Sequence, residues 1–245
     1  MIRKAEALVL KRCEFRETSF ILTLFTKDFG KINGLAKGVR VSPPKWRTSF
    51  PLFSYNTVVF YPRRGLNLIT DAELLKDFGE KFSILNRHIF ASYLVELIDL
   101  FMPLEEKNER IFEMLLKIFT LIGDAEDLER IVRIFEIKLL QLTGFSPRID
   151  NCIRCKKPII KSAYFSHRNG GLLCKHCALE DGNSSFIQPG TISTLKHILS
   201  GSEENLFSRL RMGRLIREEL RLVLEKFLVY HLERVPRAYE LAPKA

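Results

Sequence analysis

Ser19-Phe20-Ile21-Leu22-Thr23-Leu24-Phe25-Thr26 runs into Lys27-Asp28-Phe29-Gly30 and then into Lys31-Ile32-Asn33-Gly34-Leu35-Ala36-Lys37-Gly38-Val39. Two apolar runs rich in β-branched and aromatic residues flank a polar turn in which Gly30 is free to take positive φ. That pattern predicts two strands, Ser19 to Thr26 and Lys31 to Val39. Working outward, Ala5 to Cys13 reads as a strand before them, with Leu52 to Tyr61 and Leu66 to Ala72 as two more behind. Arg63-Arg64-Gly65 is the hairpin between the last two. Arg40 to Pro51 carries three prolines and reads as a loop. Turn residues recurring every 8–12 positions between such runs signal a small all-β barrel or sandwich. Five short strands fit an OB-fold, and an SH3-like barrel fits the same count.

Beyond Asp77 the period changes to that of a helix. Phe90, Leu94, Leu97, Ile98 and Phe101 form one apolar stripe before Pro103, and Phe112, Leu115, Leu116 and Phe119 form another before Gly123. Leu128, Ile131, Val132, Phe135, Leu139 and Leu142 form a third, stopped by Gly144 and Pro147. These stripes are core, not cofactor contacts. Two further helices are expected, from Pro189 to Leu199 and from Arg214 to Glu233. On the latter, Ile216, Leu220, Val223, Leu224 and Phe227 share one side, with Arg214, Arg217 and Arg221 on its flank. The nearby Glu218, Glu219 and Glu225 favour a salt-bridged surface over a phosphate contact.

The chain of 245 residues is 46% hydrophobic and 28% charged, enough apolar material for a core and unlike a disordered composition. No run approaches the ~20 apolar residues of a membrane span, and the N-terminus lacks a signal core, so a cytoplasmic, nucleoid-associated protein is expected. The formal net charge of +10 points towards a polyanionic partner such as nucleic acid. It is unevenly spread: +7 over residues 1–79, −3 over 80–148, and +3 over each of 149–182 and 183–245. Basic ends around an acidic middle imply more than one functional surface.

Cys152-x-x-Cys155 and Cys174-x-x-Cys177 are two pairs 18 residues apart. Each pair places two thiolates on a tight turn, and two such knuckles make a tetrahedral four-sulfur cage suited to one zinc ion. Four thiolates close the coordination, leaving no position for a reactive water. Two disulfides or a redox dithiol are the competing readings, the former disfavoured in a reducing compartment. His176 lies inside the second pair as a rival ligand. Cys13 stands alone and is expected to be a buried apolar residue. His231-x-Glu233 follows both pairs, out of order for a zinc deaminase. No phosphate loop or nucleophile elbow is present, so a non-catalytic protein is expected.

Lys37, Arg40, Lys45 and Arg47 surround Trp46 in or beside the third loop, with Phe50 close by. Lys and Arg neutralise phosphates, and an aromatic face stacks an unpaired base for roughly 1–3 kcal/mol. Arg63 and Arg64 at the hairpin tip are further candidate backbone contacts. An adaptor for acidic protein partners and an RNA-binding zinc protein are the alternatives that this charge also fits.

The sequence resembles the bacterial recombination mediator family RecO. The resemblance rests on Phe25-Thr26-x3-Gly30-Lys31, Ala36-Lys37-Gly38-Val39-Arg40, the opening Ala7-Leu8-Val9-Leu10, Asp71-Ala72-Glu73, and Gly144-Phe145-x-Pro147-x4-Cys152-x-x-Cys155. These motifs span essentially the whole chain. The resemblance implies an α+β multidomain protein: an OB-fold domain over 1–79, then a helical domain over 80–149 and 183–245, interrupted by a four-cysteine zinc-binding element over 150–182. It further implies binding of single- and double-stranded DNA and annealing of complementary strands. The implied partners are RecR and the single-strand DNA-binding protein SSB, and through them the RecA recombinase. By the same resemblance Lys37 and Arg40 take a DNA-contact role, and Cys152, Cys155, Cys174 and Cys177 the metal role. The stretch Val41-Ser42-Pro43-Pro44-Lys45-Trp46-Arg47 departs from the family's pattern, so the contacts of Lys45, Trp46 and Arg47 rest on their chemistry alone.

Overall fold

A computed structural model describes residues 1–39 and 50–238. The chain divides into two compact units, Met1–Glu126 and Asp127–Ala245. The first begins with β1 (Arg3–Phe15), β2 (Ser19–Thr26), β3 (Gly30–Ala36), β4 (Ser54–Tyr61) and β5 (Asn67–Asp77). They close into a barrel in the order β1-β2-β3-β5-β4, with β1 pairing back onto β4. Only β3 and β5 run parallel. This is the Greek-key arrangement of an OB-fold, which resolves the choice between the two barrel types. Alternate residues fill the interior, among them Val9, Leu22, Leu24, Ile32, Val58, Phe60 and Ile69. At roughly 1.5–3 kcal/mol for each large apolar side chain taken out of water, this interior is what holds the strands closed.

Two strands outrun their alternating stretches. β5 continues past Ala72 to Asp77, where Leu74 and Leu75 both lie exposed and leave no alternation to read. β1 continues to Phe15, but only Arg3 to Leu8 pairs with β4. Past a register shift between Val9 and Lys11 it is held by β2 alone. Cys13 sits on that extension and is exposed, correcting the expectation of a buried thiol. A β-bulge changes which face each residue meets, so alternation counted from Ala5 misplaces everything after it.

A 3-10 turn (Glu80–Phe82), α1 (Leu85–Phe101) and α2 (Glu109–Ile122) complete the unit. Phe53 anchors them: its ring lies 5.4 Å from that of Phe82 and 5.9 Å from that of Phe119, both edge-on. Its φ of +65° costs about 1–3 kcal/mol. Burial to 4% exposure among aromatic rings, with each pair contributing about 0.5–1.5 kcal/mol beyond area, offsets that strain. The acidic middle also meets the basic barrel here. Asp99 holds Lys11 at 2.5 Å and Lys31 at 3.1 Å, while Lys27 pairs with Glu109 at 3.3 Å and Glu113 at 3.1 Å.

The second unit is built on α3 (Leu128–Leu142), buried along most of its length from Ile131 to Leu140. β6 (Ala163–Ser166), β7 (Gly171–Leu173) and β8 (Ser184–Ile187) form a small sheet in the order β7-β6-β8. Strands of three and four residues are too short to show a period, so only their turn at Asn169-Gly170-Gly171 is legible in advance. α4 (Lys175–Leu179), α5 (Pro189–Ser200), α6 (Glu203–Arg209) and α7 (Arg214–Leu232) follow. Cations on α3 satisfy the carbonyl ends of its neighbours. Lys138 donates to Leu199 O at 3.3 Å and Gly201 O at 3.0 Å, ending α5, and Arg130 donates to Phe207 O at 2.9 Å and Leu210 O at 3.1 Å, ending α6.

Gly30 is the tightest point of the barrel. Its φ is +64°, and an added Cβ would lie 2.1 Å from the carbonyl oxygen of Glu106. Because that obstacle is backbone, Gly30→Ala is expected to cost at least about 2 kcal/mol and to lower Tm by about 4–8 °C in a thermal melt. An unchanged Tm would show that the 105–106 strand-side contact is not kept in solution.

Candidate functional site

On the barrel, the registers of four strand pairs align one row of outward side chains. Cys13 faces Ile21, Ile21 faces Leu35, Leu35 faces Leu68, and Leu68 faces Tyr61. Cys13 and Tyr61 are exposed and the three between them half-buried. This is a shallow apolar strip, ended by an aromatic ring, across the face of an OB-fold. Lys37 follows Leu35 by two positions and is exposed. Arg63 follows Tyr61 by two positions on a strand of opposite direction, and Arg64 is beside it, both exposed. Lys37 and the two arginines therefore flank the strip on opposite sides. Arg16, at the turn joining β1 and β2, adds a further exposed guanidinium, 5.3 Å over the Phe15 ring. The strip was not anticipated from the sequence; its signal, the register across four strand pairs, exists only once the barrel is closed. Arg40, Lys45, Trp46 and Arg47 lie outside the described residues. Phe50 is buried in the barrel interior at 1% exposure and makes no part of a surface.

In the second unit Cys152, Cys155, Cys174 and Cys177 come together, their sulfurs all within 4.8 Å of one another. Cys155 and Cys174 are 3.8 Å apart. The first knuckle is closed by Lys156 N donating to Cys152 O and Cys152 N donating to Lys157 O, each at 2.9 Å, with Lys156 at a φ of +62°. In the second, Cys174 caps α4, whose first turn carries Cys177 inward. Ile153, Ile159, Leu173 and Tyr164 pack around the sulfurs. All five cysteines are free, and His176 is exposed outside the cluster.

The thiols do not share one character. Burial pushes Cys177 up to about 12, reinforced by hydrogen bonds to the other three sulfurs. Burial acts in the same direction on Cys152, but backbone N–H groups of Cys155, Cys174 and Arg154 outweigh it and bring the thiol down to about 6. Four thiolates this close repel one another without a cation between them. The donor set, its closeness and its enclosure suit a metal ion.

Residues 1–78 match the family model described as the N terminal part of Recombination protein O, and residues 83–240 match the model of its C terminal part. The chain belongs to the RecO family. A DNA repair protein RecO of Caldicellulosiruptor saccharolyticus is 32% identical over 94% of this chain and 93% of the relative. One from Alkaliphilus metalliredigens is 31% identical over 96% of each, and one from Clostridium kluyveri 32% identical over 98% of this chain and 93% of its own length.

The arginines of α7 in this RecO chain are all engaged. Arg214 pairs with Glu218 at 2.8 Å, Arg217 with Asp127 at 2.9 Å and Arg221 with Glu225 at 3.8 Å, the salt-bridged surface that the interleaved glutamates suggested. No helix among the described residues is long and apolar enough to cross a membrane.

His167, on the turn after β6, is 2% exposed and lies 2.9 Å from Ser185 Oγ through Nε2. Burial, aided by the charge of Lys226, pushes its imidazole down to about 4. An unfolded histidine near 6.5 therefore takes up its proton first as pH falls. The stability that this histidine supplies is complete above pH 6.5 and is lost between about 6.5 and 4. In urea unfolding, His167→Gln should flatten the fall in stability between pH 6.5 and 5 relative to the parent protein. A parallel fall in both would place the loss on other groups.

Proposed function

We propose that this RecO chain acts in DNA repair and recombination as a non-catalytic mediator that binds single- and double-stranded DNA and anneals complementary strands. The observation that carries the reading is the barrel strip from Cys13 to Tyr61, with Lys37 on one side and Arg63 and Arg64 on the other. Unpaired bases lie on an apolar and aromatic surface, while flanking cations take the phosphates and release counterions. Arg40, Lys45, Trp46 and Arg47 follow Lys37 in sequence, and their charge and aromatic chemistry suit the same contacts. Annealing needs no reacting residue, because base pairing drives it once phosphate repulsion is screened. Residues 1–79 would carry the nucleic acid, 80–149 and 183–245 would dock RecR and SSB, and delivery of RecA to SSB-coated DNA would follow from both. The relatives named as DNA repair proteins support the same role.

The four-cysteine element over 150–182 would hold one structural zinc ion. Zinc–sulfur bonds near 2.3 Å require a tetrahedron with edges of about 3.8 Å. The separation of Cys155 and Cys174 already matches that edge. The ion supplies cohesion between the two knuckles and no reactive position. Purified protein should carry about one zinc per chain, and its removal by a chelator should lower Tm and loosen residues 150–182 to proteolysis. Fully folded, metal-free protein with reduced thiols would refute a structural zinc.

For the barrel, annealing of complementary strands coated with the cognate SSB should accelerate on adding the protein, and the acceleration should fade with salt. The double variant Lys37→Ala, Arg40→Ala should bind single strands more weakly and lose about 1.4 from the slope of log K against log salt, about 0.7 for each phosphate contact. Unchanged affinity and slope would sink the barrel assignment. Equal competition by matched RNA would redirect it from DNA.

A further inference from the structure

Beside the four-cysteine cage lies a cleft of about 450 Å³, lined by Arg148, Arg154, Arg168, Asn169, Glu180 and Asp181 together with Cys177. Its walls are tied together by backbone. Arg148 N donates to Gly170 O and Leu172 N donates to Arg148 O, each at 2.9 Å, and Ile153 N donates to Leu172 O at 2.8 Å. Three arginines thus project from a frame in which the first knuckle, the β6–β7 hairpin and the cage move as one.

The lining is mostly charged, so an apolar ligand is the wrong occupant. The two acids are partly engaged, and Asp181 Oδ2 is buried without a hydrogen-bond partner. Asp181 Oδ1 accepts from Ser166 Oγ at 2.9 Å and Asn169 Nδ2 at 3.2 Å, and Glu180 forms an ion pair with Arg154. Arg148 spends one N–H on Asn169 O at 3.1 Å. Arg168 is exposed and has no ion-pair partner among the described residues. Three arginines and two acids line the cleft, and Lys156, Lys157, Lys161 and Lys175, outside the lining, bring residues 148–182 to seven cations against three acids. That surplus exceeds the charge of a dianionic cage, so the arginines are not needed in full to balance the sulfurs. Planar guanidinium groups suit the forked oxygens of a phosphodiester.

We propose that this cleft is a second phosphate-backbone contact for nucleic acid, in the second unit and separate from the barrel strip. Arg168 and Arg148 take the phosphate oxygens, and Arg154 joins them when it leaves Glu180. The proposal rests on the DNA-binding reading above and adds a contact that the barrel does not supply. It gives the zinc-binding element a task beyond cohesion: the cage holds the frame from which the arginines point.

The test is binding of a fluorescein-labelled single-stranded oligodeoxynucleotide by the full chain, followed by anisotropy across a salt series. Arg168→Ala should weaken binding several-fold and reduce the salt slope by about 0.7, the share of one phosphate contact. Glu180→Gln should strengthen binding by releasing Arg154, a gain that a merely structural role for the cleft does not produce. Arg168→Lys, which keeps the charge, should retain the parent slope. Metal content and Tm of each variant establish that the cage is intact. The proposal is overturned if Arg168→Ala and Glu180→Gln both bind like the parent while Lys37→Ala, Arg40→Ala binds weakly. It is overturned in favour of a protein ligand if Arg168 is needed to retain a polyglutamate peptide and DNA binding is unmoved. Should the parent bind no DNA at all, the DNA-binding reading itself fails, and the cleft assignment falls with it.

Discussion

The ladder between Arg3–Leu8 and Tyr55–Phe60 turns five strands into a closed barrel, and the outer face depends on where that ladder stops. At Ala7 and Leu8, β1 has a partner strand on both edges. Beyond the register shift after Val9 it has one, so the strand leaves the barrel wall and carries Cys13 into solvent. The same residue then heads the row that continues through Ile21, Leu35 and Leu68 to Tyr61. Closure also fixes which cations can flank it. The parallel pairing of β3 with β5 sends Lys37 one way, and the opposite run of β4 sends Arg63 the other.

Net charge overstates how much of the barrel is free to meet a polyanion. Lys11, Lys27 and Lys31 all belong to the +7 of residues 1–79, yet each is paired with an acid from 80–148. Asp99, Glu109 and Glu113 of the acidic middle are therefore counterparts to one side of the barrel. The exposed pairs of Lys27 contribute little, while Lys31–Asp99 is largely buried. The aromatic cluster around Phe53 dominates the packing of the two helices, while the ion pairs decide which cations remain. Lys37, Arg63 and Arg64 have no ion-pair partner among the described residues. They are the cations that sequence chemistry singled out near turns.

Much of the fold was legible because burial leaves a period. β2 alternates from Phe20 to Leu24 and is followed by a polar turn, so it was readable, and the stripes of α1, α2 and α3 named their own buried faces. The four cysteines were legible because metal chemistry fixes residue type and spacing together. Legibility failed where no period exists or where it is interrupted. β6 to β8 are shorter than two repeats of any pattern, and α6, at seven residues, is barely two turns. The register shift in β1 inverted the reading of Cys13, and Phe50, grouped with the loop aromatics by proximity, belongs to the barrel interior. Neighbourhood in sequence says little about which side of a barrel wall a ring occupies.

The second unit meets the opposite problem: its polar groups sit where water cannot reach them. Arg133 and Glu136 pair at 3.0 Å with the carboxylate wholly buried, and removing one partner from such a pair costs about 3–5 kcal/mol. Lys138 and Arg130 reach the carbonyl ends of α5 and α6, which would otherwise be unsatisfied. The cage extends the same logic. A buried Cys177 thiol pushed up to about 12 sits beside a Cys152 thiol brought down to about 6, so these two resist ionising together. A dication removes that conflict by replacing mutual repulsion with shared attraction. The cysteines share only a small apolar cluster with Leu173, Ile153, Ile159 and Tyr164, so a bound metal would add cohesion that hydrophobic area there supplies sparingly. Backbone hydrogen bonds from Arg148 and Ile153 to the β6–β7 hairpin make the corner beside the cysteines a common frame for the arginines that line the cleft.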